Sequence, residues 1–283
     1  MKKSELFFLL IFPFLFFIVS HLIPLFYGVA LSFTDPKGNF VGLQNYYTAV
    51  NDHRFWGGIR FTFIYAFSTA ALNLILGLLI GTFINQIRRG QGILKSVFLI
   101  PWAIPLTVWG LENRIIFSRD FGILNNVLID TGITTTPLPW LGDPSLATIS
   151  VIVSSVYRDM WFAALLFLVA CQMIPQDFYD LAVIHGASAL QTFRFITLPL
   201  LRRTIITVGT LLFIFAVQAF DIPYSLTYGG PAWATHTTAM YIFRRSLHYG
   251  DYEVGTALSS IWVLVIFGLV GTSFTFLGRK TMR

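Results

Sequence analysis

An all-α integral membrane protein with six transmembrane helices and both termini cytoplasmic is the fold predicted by the 283-residue sequence, on three observations. Hydrophobic residues make up 55% and charged residues only 11%, where an ordinary soluble domain is about 25% charged. The apolar residues fall into six stretches near the length of about 20 residues that a helix needs to cross the hydrocarbon core. The basic residues gather on the loops of one side. This composition excludes disorder, a coiled coil and a nucleic-acid-binding module, and the net charge of +6 reads as a topology signal. A single cysteine, Cys171, excludes a disulfide framework and a Cys-based metal site, and is assigned to packing.

The spans are predicted at about 6–33, 59–84, 96–117, 146–173, 201–220 and 254–277. The first follows Lys2 and Lys3 like a signal peptide, but its apolar run is too long. It also contains Pro13 and Pro24 and lacks a small-residue cleavage site, so it reads as a retained anchor. In the third, Pro101 and Pro105 predict a kink beside neighbouring helices. The fifth is the weakest, being short, with Arg202 and Arg203 at its start. The alternating pattern of a membrane barrel is absent, and backbone groups in lipid must pair within the segment, which leaves helices. The whole of 1–283 reads as one transmembrane domain.

Orientation follows from Lys2, Lys3, Arg88, Arg89, Lys95, Arg194, Arg202, Arg203, Arg279, Lys280 and Arg283, which share one side with only Glu5, Asp177 and Asp180. Basic loops face the cytoplasm. The outer loops, about 34–58, 118–145 and 221–253, are rich in Gly, Pro, Asn, Thr and aromatics. Trp56, Trp140, Trp161 and Tyr249 fall near predicted interfaces, where amphipathic rings are favoured, and read first as anchors.

Two inner loops lie between spans. The loop at 86–95 superficially suggests a phosphate-binding loop, since Lys95-Ser96 follows two glycines, but no glycine directly precedes Lys95 and no strand precedes the loop. It reads as a cytoplasmic anchor. The loop at 174–202 is too patterned for a connector. Phe178, Leu181, Ala182 and His185 recur at helical spacing and end at Gly186; a second helical piece carries Leu190, Phe193, Phe195 and Ile196 and stops at Pro199. Such a cytoplasmic helix-turn-helix between spans four and five suits a groove on another protein. A pair of amphipathic helices lying on lipid headgroups fits the pattern equally well.

This loop resembles the hallmark of the membrane-spanning permease subunits of bacterial binding-protein-dependent ABC importers: E-A-A, three residues, G, nine residues, I-x-L-P. Here Asp180, Leu181 and Ala182 precede Gly186 by that spacing, and Ile196, Leu198 and Pro199 follow it. Asp180, Leu181 and His185 depart from the usual residues but keep a small or apolar face. SFTDPKGNFVGLQNYY, LIPWAIP, FGILNNVL, WLGDPSLA and FDIPYSLTYGGPAWAT resemble the carbohydrate-uptake branch of the family, the maltose and glycerol-phosphate transporter relatives, so the likeness spans nearly the whole chain.

The resemblance implies a multi-pass subunit of the bacterial cytoplasmic membrane that forms half of a pathway for a sugar or related polyol. It implies a second, related but non-identical permease, two copies of a cytoplasmic ATPase and an extracytoplasmic solute-binding protein. Asp180, Leu181, Ala182, Gly186, Ala187, Ile196, Leu198 and Pro199 would couple to the ATPase. ATP and magnesium belong to that partner; the chain itself binds no cofactor and is not an enzyme.

Charges within spans are costly and mark candidate pathways. Ser155, Arg158, Asp159 and Phe162 recur on one face of the fourth span, and Phe215 and Gln218 share a face of the fifth, with Asp221 at its outer end. By the resemblance, this depth lines the path in sugar-transporting relatives, with Tyr157 and Trp161 as further ring faces. Arg158 pairing with a polar group of a neighbouring helix is an equal reading. The histidines show no metal-ligand spacing. A secondary transporter driven by an ion gradient is the alternative, and would be expected to carry internal repeats and coupling carboxylates. A membrane-embedded enzyme would need a catalytic constellation that the spacings do not assemble.

Overall fold

A computed structural model describes residues 3–87 and 90–281. Lys2, Arg88, Arg89 and Arg283 of the orientation argument lie outside the described residues, as do the side chains of Lys3, Glu5, Arg279 and Lys280. The described elements are helical, with one isolated bridge between Thr34 and Phe40. In order they are α1 (Lys3–Phe17), α2 (Ile23–Leu31), α3 (Gln44–Val50), α4 (His53–Asn85), α5 (Gln91–Ala103), α6 (Leu106–Ile116), α7 (Ile123–Asp130), α8 (Pro144–Gln172), α9 (Asp177–Ile184), α10 (Ala189–Thr192), α11 (Leu198–Val217), α12 (Asp221–Thr227), α13 (Thr238–Phe243) and α14 (Tyr252–Thr281). π-Helical turns at Ile18–Leu22, Phe193–Thr197 and Arg244–His248 carry the chain between helices.

Five helical stretches among the described residues are long and apolar enough to cross a membrane: Ile11–Leu31, His53–Asn85, Pro144–Gln172, Ala189–Val217 and Tyr252–Gly271. The predicted third span differs from a kinked helix. It is two helices, α5 and α6, meeting at 88°. The break sits at Ile104, which is extended (φ −67°, ψ 132°) ahead of Pro105. A proline ring pushes the preceding residue out of the helical region and supplies no N–H, so the ladder ends there.

The fifth span also departs from expectation, in the opposite sense. The predicted stop at Pro199 does not occur. The N–H of Leu198 reaches back five residues to the carbonyl of Phe193, and this π turn delivers the proline to the first turn of α11, where its missing N–H costs nothing. Ala189–Val217 is therefore one helical run of 29 residues, and Arg202 and Arg203 lie within it.

The chain divides into two compact units, 1–56 with 240–268, and 57–239 with 269–283. In the first, Asn45 fastens the loop after α2 by donating from Nδ2 to the carbonyls of Ser32 (2.9 Å) and Thr34 (2.8 Å). Asp35 caps the following turn, accepting from the side-chain amide and backbone N–H of Asn39 and the N–H of Lys37; these bonds hold its carboxyl below the ordinary range. Tyr241 donates its hydroxyl to Asp52, and burial pushes its phenol pKa up.

The second unit is built on α4, α8 and α11. Gly77 and Gly81 on α4 form a small-xxx-small pair against α8: a Cβ at Gly77 would lie 2.5 Å from that of Ala163, and one at Gly81 2.5 Å from the Ala164 carbonyl. Backbones come this close only where side chains are absent. Ala70, Ala163, Phe167, Val208 and Leu212 fill the core between the three helices.

The outer segments are folded rather than loose. Asn125 of α7 accepts from the N–H of Leu138 and from Nε1 of Trp140, both at 3.0 Å, and donates to the Leu138 carbonyl. Trp140 thus packs with Phe117 in a small core, whereas the sequence read it as an interface anchor. Asp143 caps α8 by accepting from the N–H groups of Ser145 and Leu146, and Pro144 takes the first helical position.

Candidate functional site

The second unit encloses a cavity of about 260 Å³ between α4, α5, α8, α11 and α12. Its polar lining comes from Tyr65, Thr69 and Asn73 of α4, Arg158 and Asp159 of α8, and Gln218 and Asp221 around the end of α11. Its apolar lining includes Trp102, Phe162, Phe215 and Phe220. Trp102 and Phe162 stack at 4.9 Å with planes 9° apart.

Arg158 organises the wall of this cavity. Its Nη2 donates to the carbonyls of Trp102 (2.9 Å) and Ile104 (3.2 Å), and its Nη1 donates to Asp159 at 2.7 Å. These two carbonyls flank the break between α5 and α6. The guanidinium thereby satisfies backbone groups that the break leaves without a helical partner, which is the condition for broken helix in an apolar bundle. Arg158 thus lines the cavity and also pairs with a neighbouring helix, as one of its two sequence readings expected.

Of the nine residues predicted for a pathway, Arg158, Asp159, Phe162, Phe215, Gln218 and Asp221 line this cavity. Ser155, Tyr157 and Trp161 do not. Ser155 is fully buried, accepting from the Tyr65 hydroxyl at 2.8 Å and donating to the Val151 carbonyl. Tyr157 stacks on Trp109 (5.8 Å) and Trp161 on Phe98 (4.5 Å), so these rings pack α8 onto the broken pair instead of facing the cavity. The turn per residue explains the miss: positions 157 and 161 lie on a different face from 158, 159 and 162. Sequence reasoning also overlooked Tyr65, Thr69 and Asn73. Their signal was present, since polar groups four residues apart form a stripe on an otherwise apolar helix.

The segment after α8 carries the second group of predicted residues. α9 runs from Asp177 to Ile184, and Gly186 turns the chain with a φ of +69° that only glycine adopts without cost. Ser188 and Gln191 form a capping box that starts α10. Ala182 is buried within the chain. Leu181, Val183, Ile184, Leu190 and Phe195 are exposed, the largest value being 77% at Ile184. Ile196 and Leu198 are half-buried and Pro199 is exposed. Asp180 and Ala187 line a groove with Tyr179, Thr192 and Phe193.

The family model of the binding-protein-dependent transport system inner membrane component matches residues 73–281, which include both α9 and most of the cavity wall. The chain belongs to this family. Among curated relatives of this inner membrane component, the trehalose/maltose transport system permease MalF of Thermococcus litoralis is 35% identical over 248 residues, covering 88% of this chain and 81% of the relative. The sulfoquinovosyl glycerol transport system permease SmoG of Agrobacterium fabrum is 32% identical, covering 83% and 76%. A solved bacterial ABC transporter that imports the acidic polysaccharide alginate superposes with a TM-score of 0.87 over 98% of this chain and 96% of its own, at 19% identity, which identifies the fold. Among the described residues no group of His, Cys, Asp or Glu is placed to hold a metal ion.

Proposed function

We propose that this inner membrane component forms half of the translocation pathway of an ATP-driven importer for a sugar or related polyol, with both termini in the cytoplasm. The observation that carries the reading is the make-up of the cavity: amides, hydroxyls and a paired charge interleaved with aromatic faces. Sugars present hydroxyls around the ring edge and apolar C–H faces, so this mixture suits them. The sugar-related substrates named for MalF and SmoG support the same reading.

In this reading the partners are a related second permease, two copies of an ATPase that holds ATP and magnesium, and a solute-binding protein outside. Asp180, Leu181, Ala182, Gly186, Ala187, Ile196, Leu198 and Pro199 form the coupling segment. Exposed apolar side chains on a cytoplasmic loop are unfavourable unless a partner covers them, and α9 supplies such a surface. The run 189–217 supports transmission. A push at Phe195 acts on one helical body that reaches Phe215 at the cavity about 30 Å away. Closure of the ATPases then tilts that body, alternating access to the cavity.

Solubilised membranes test the assembly: an ATPase and a second permease are expected to co-purify with this chain, and recovery of neither overturns the reading. Gly186→Arg is expected to insert in the membrane yet lose the ATPase. Gly186→Asn, which tolerates a positive φ, should retain it.

A further inference from the structure

We propose that Asn73 of α4 is a ligand-binding residue of the cavity, meeting a substrate hydroxyl, and that the cavity selects an uncharged polyhydroxylated ligand over an acidic one. This rests on the sugar reading above and adds a contact and a charge class to it. Asn73 is 97% withdrawn from solvent (3% exposed), yet its Oδ1 has no hydrogen-bond partner among the described residues. It lies in the cavity lining one turn along α4 from Thr69, whose hydroxyl is turned back onto the Tyr65 carbonyl at 2.7 Å. Tyr65 in turn spends its hydroxyl on Ser155. The other two members of the α4 stripe are therefore committed within the chain, and Asn73 is the one left open.

A second orphan lies in the same lining. Nε of Arg158 is buried without a partner while the two Nη atoms are engaged. The orphans are of opposite type, since Oδ1 needs a donor and Nε–H needs an acceptor. A buried polar atom left unpaired costs the full loss of its hydration. A hydroxyl both donates and accepts, so a polyol is the ligand class that answers both atoms. An apolar ligand leaves both unpaired.

The charge selection follows from the same lining. Arg158 is the only cation among the described lining residues, and Asp159 holds it at 2.7 Å. Asp221 adds a second carboxylate. A ligand carboxylate or phosphate would find only the Nε–H of a guanidinium whose charge Asp159 already balances, and would face two carboxylates, which disfavours binding against a neutral hydroxyl. The structural likeness to an alginate importer therefore does not extend to the charge of the ligand.

The test uses the complete importer, with its partner permease, ATPase and binding protein, in liposomes. The binding protein is screened against neutral oligosaccharides such as maltose and trehalose and against uronic-acid disaccharides, and uptake of whichever binds is measured. The expected result is uptake of a neutral sugar, reduced about tenfold in efficiency by Asn73→Leu, the loss of one buried hydrogen bond. Co-purification of the partner permease and the ATPase should be retained. Asn73→Ser, which keeps a hydroxyl, should fall between the two, and serves alone if the leucine variant does not assemble. Wild-type uptake in either variant overturns the role of Asn73. Uptake of an acidic sugar in preference to neutral ones overturns the charge selection while leaving the sugar reading intact. Uptake of no sugar overturns that reading, and this proposal with it.

Discussion

The cavity wall and the segment 177–199 carry the chain's two groups of candidate functional residues, and they are built in opposite ways. Around the cavity, groups remote in sequence meet: Arg158 reaches carbonyls 54 and 56 residues away, and the Tyr65 hydroxyl reaches Ser155 across 90. In the segment, the bonds are local. Ser188 pairs with Gln191, and Nδ1 of His185 with the Leu181 carbonyl four residues back. One region gathers polar groups inward and buries them, whereas the other turns leucine, valine and phenylalanine outward. The contrast separates two kinds of dependence: the cavity wall holds the chain together, and the segment is organised for something outside it.

Substitutions can break or sharpen that contrast. The largest effect is expected from Arg158→Leu, which strands Asp159 and two carbonyls among apolar helices. A loss of about 3–5 kcal/mol is expected for removing one partner of a buried pair, visible as a large drop in the melting temperature of the solubilised protein. A wild-type melt would show that the break between α5 and α6 does not depend on the guanidinium. Gly77→Leu comes next. Its added atoms meet Ala163 across the α4–α8 crossing, where overpacking costs about 1–3 kcal/mol. The melt should fall with it, and a compensating loss of volume at Ala163 is not available. The smallest effect on the chain itself is expected from Val183→Asp on exposed α9, within about 0.5 kcal/mol. That variant should lose the ATPase in co-purification while melting like wild type. A large stability loss would mean that α9 packs on its own chain.

How much of this was readable in the sequence depends on which of the two constructions is involved. Apolar length located the five long apolar helices and the bent pair among the described residues, because hydrocarbon thickness sets a length that composition reveals, though it started the fifth at 201 where the helix starts at Ala189. α9 and its turn were legible because helical spacing and Gly186 are local signals. The break at Ile104 was not, since a proline in an apolar run signals a bend without its size, and the donors that meet the carbonyls at the 88° break come from Arg158 on another helix. The partners of Arg158 were invisible for a simple reason. They are backbone carbonyls, which every residue carries, so no residue type announces them. At Pro199 the error ran the other way. A proline that ordinarily ends a helix was absorbed by a π turn, and the apparent stop became a continuous shaft.

The cut between α5 and α6 has an electrostatic consequence. An intact helix carries its partial charges to its ends, roughly half an elementary charge each, but this one exposes two further ends inside the bundle. The closing carbonyls of α5 make a negative end, and the guanidinium of Arg158 rests on it. The opening turn of α6 makes a positive end, where Thr107 donates to Asp221 at 3.3 Å. Arg158 and Asp221 of the cavity are thus counter-ions to a severed dipole.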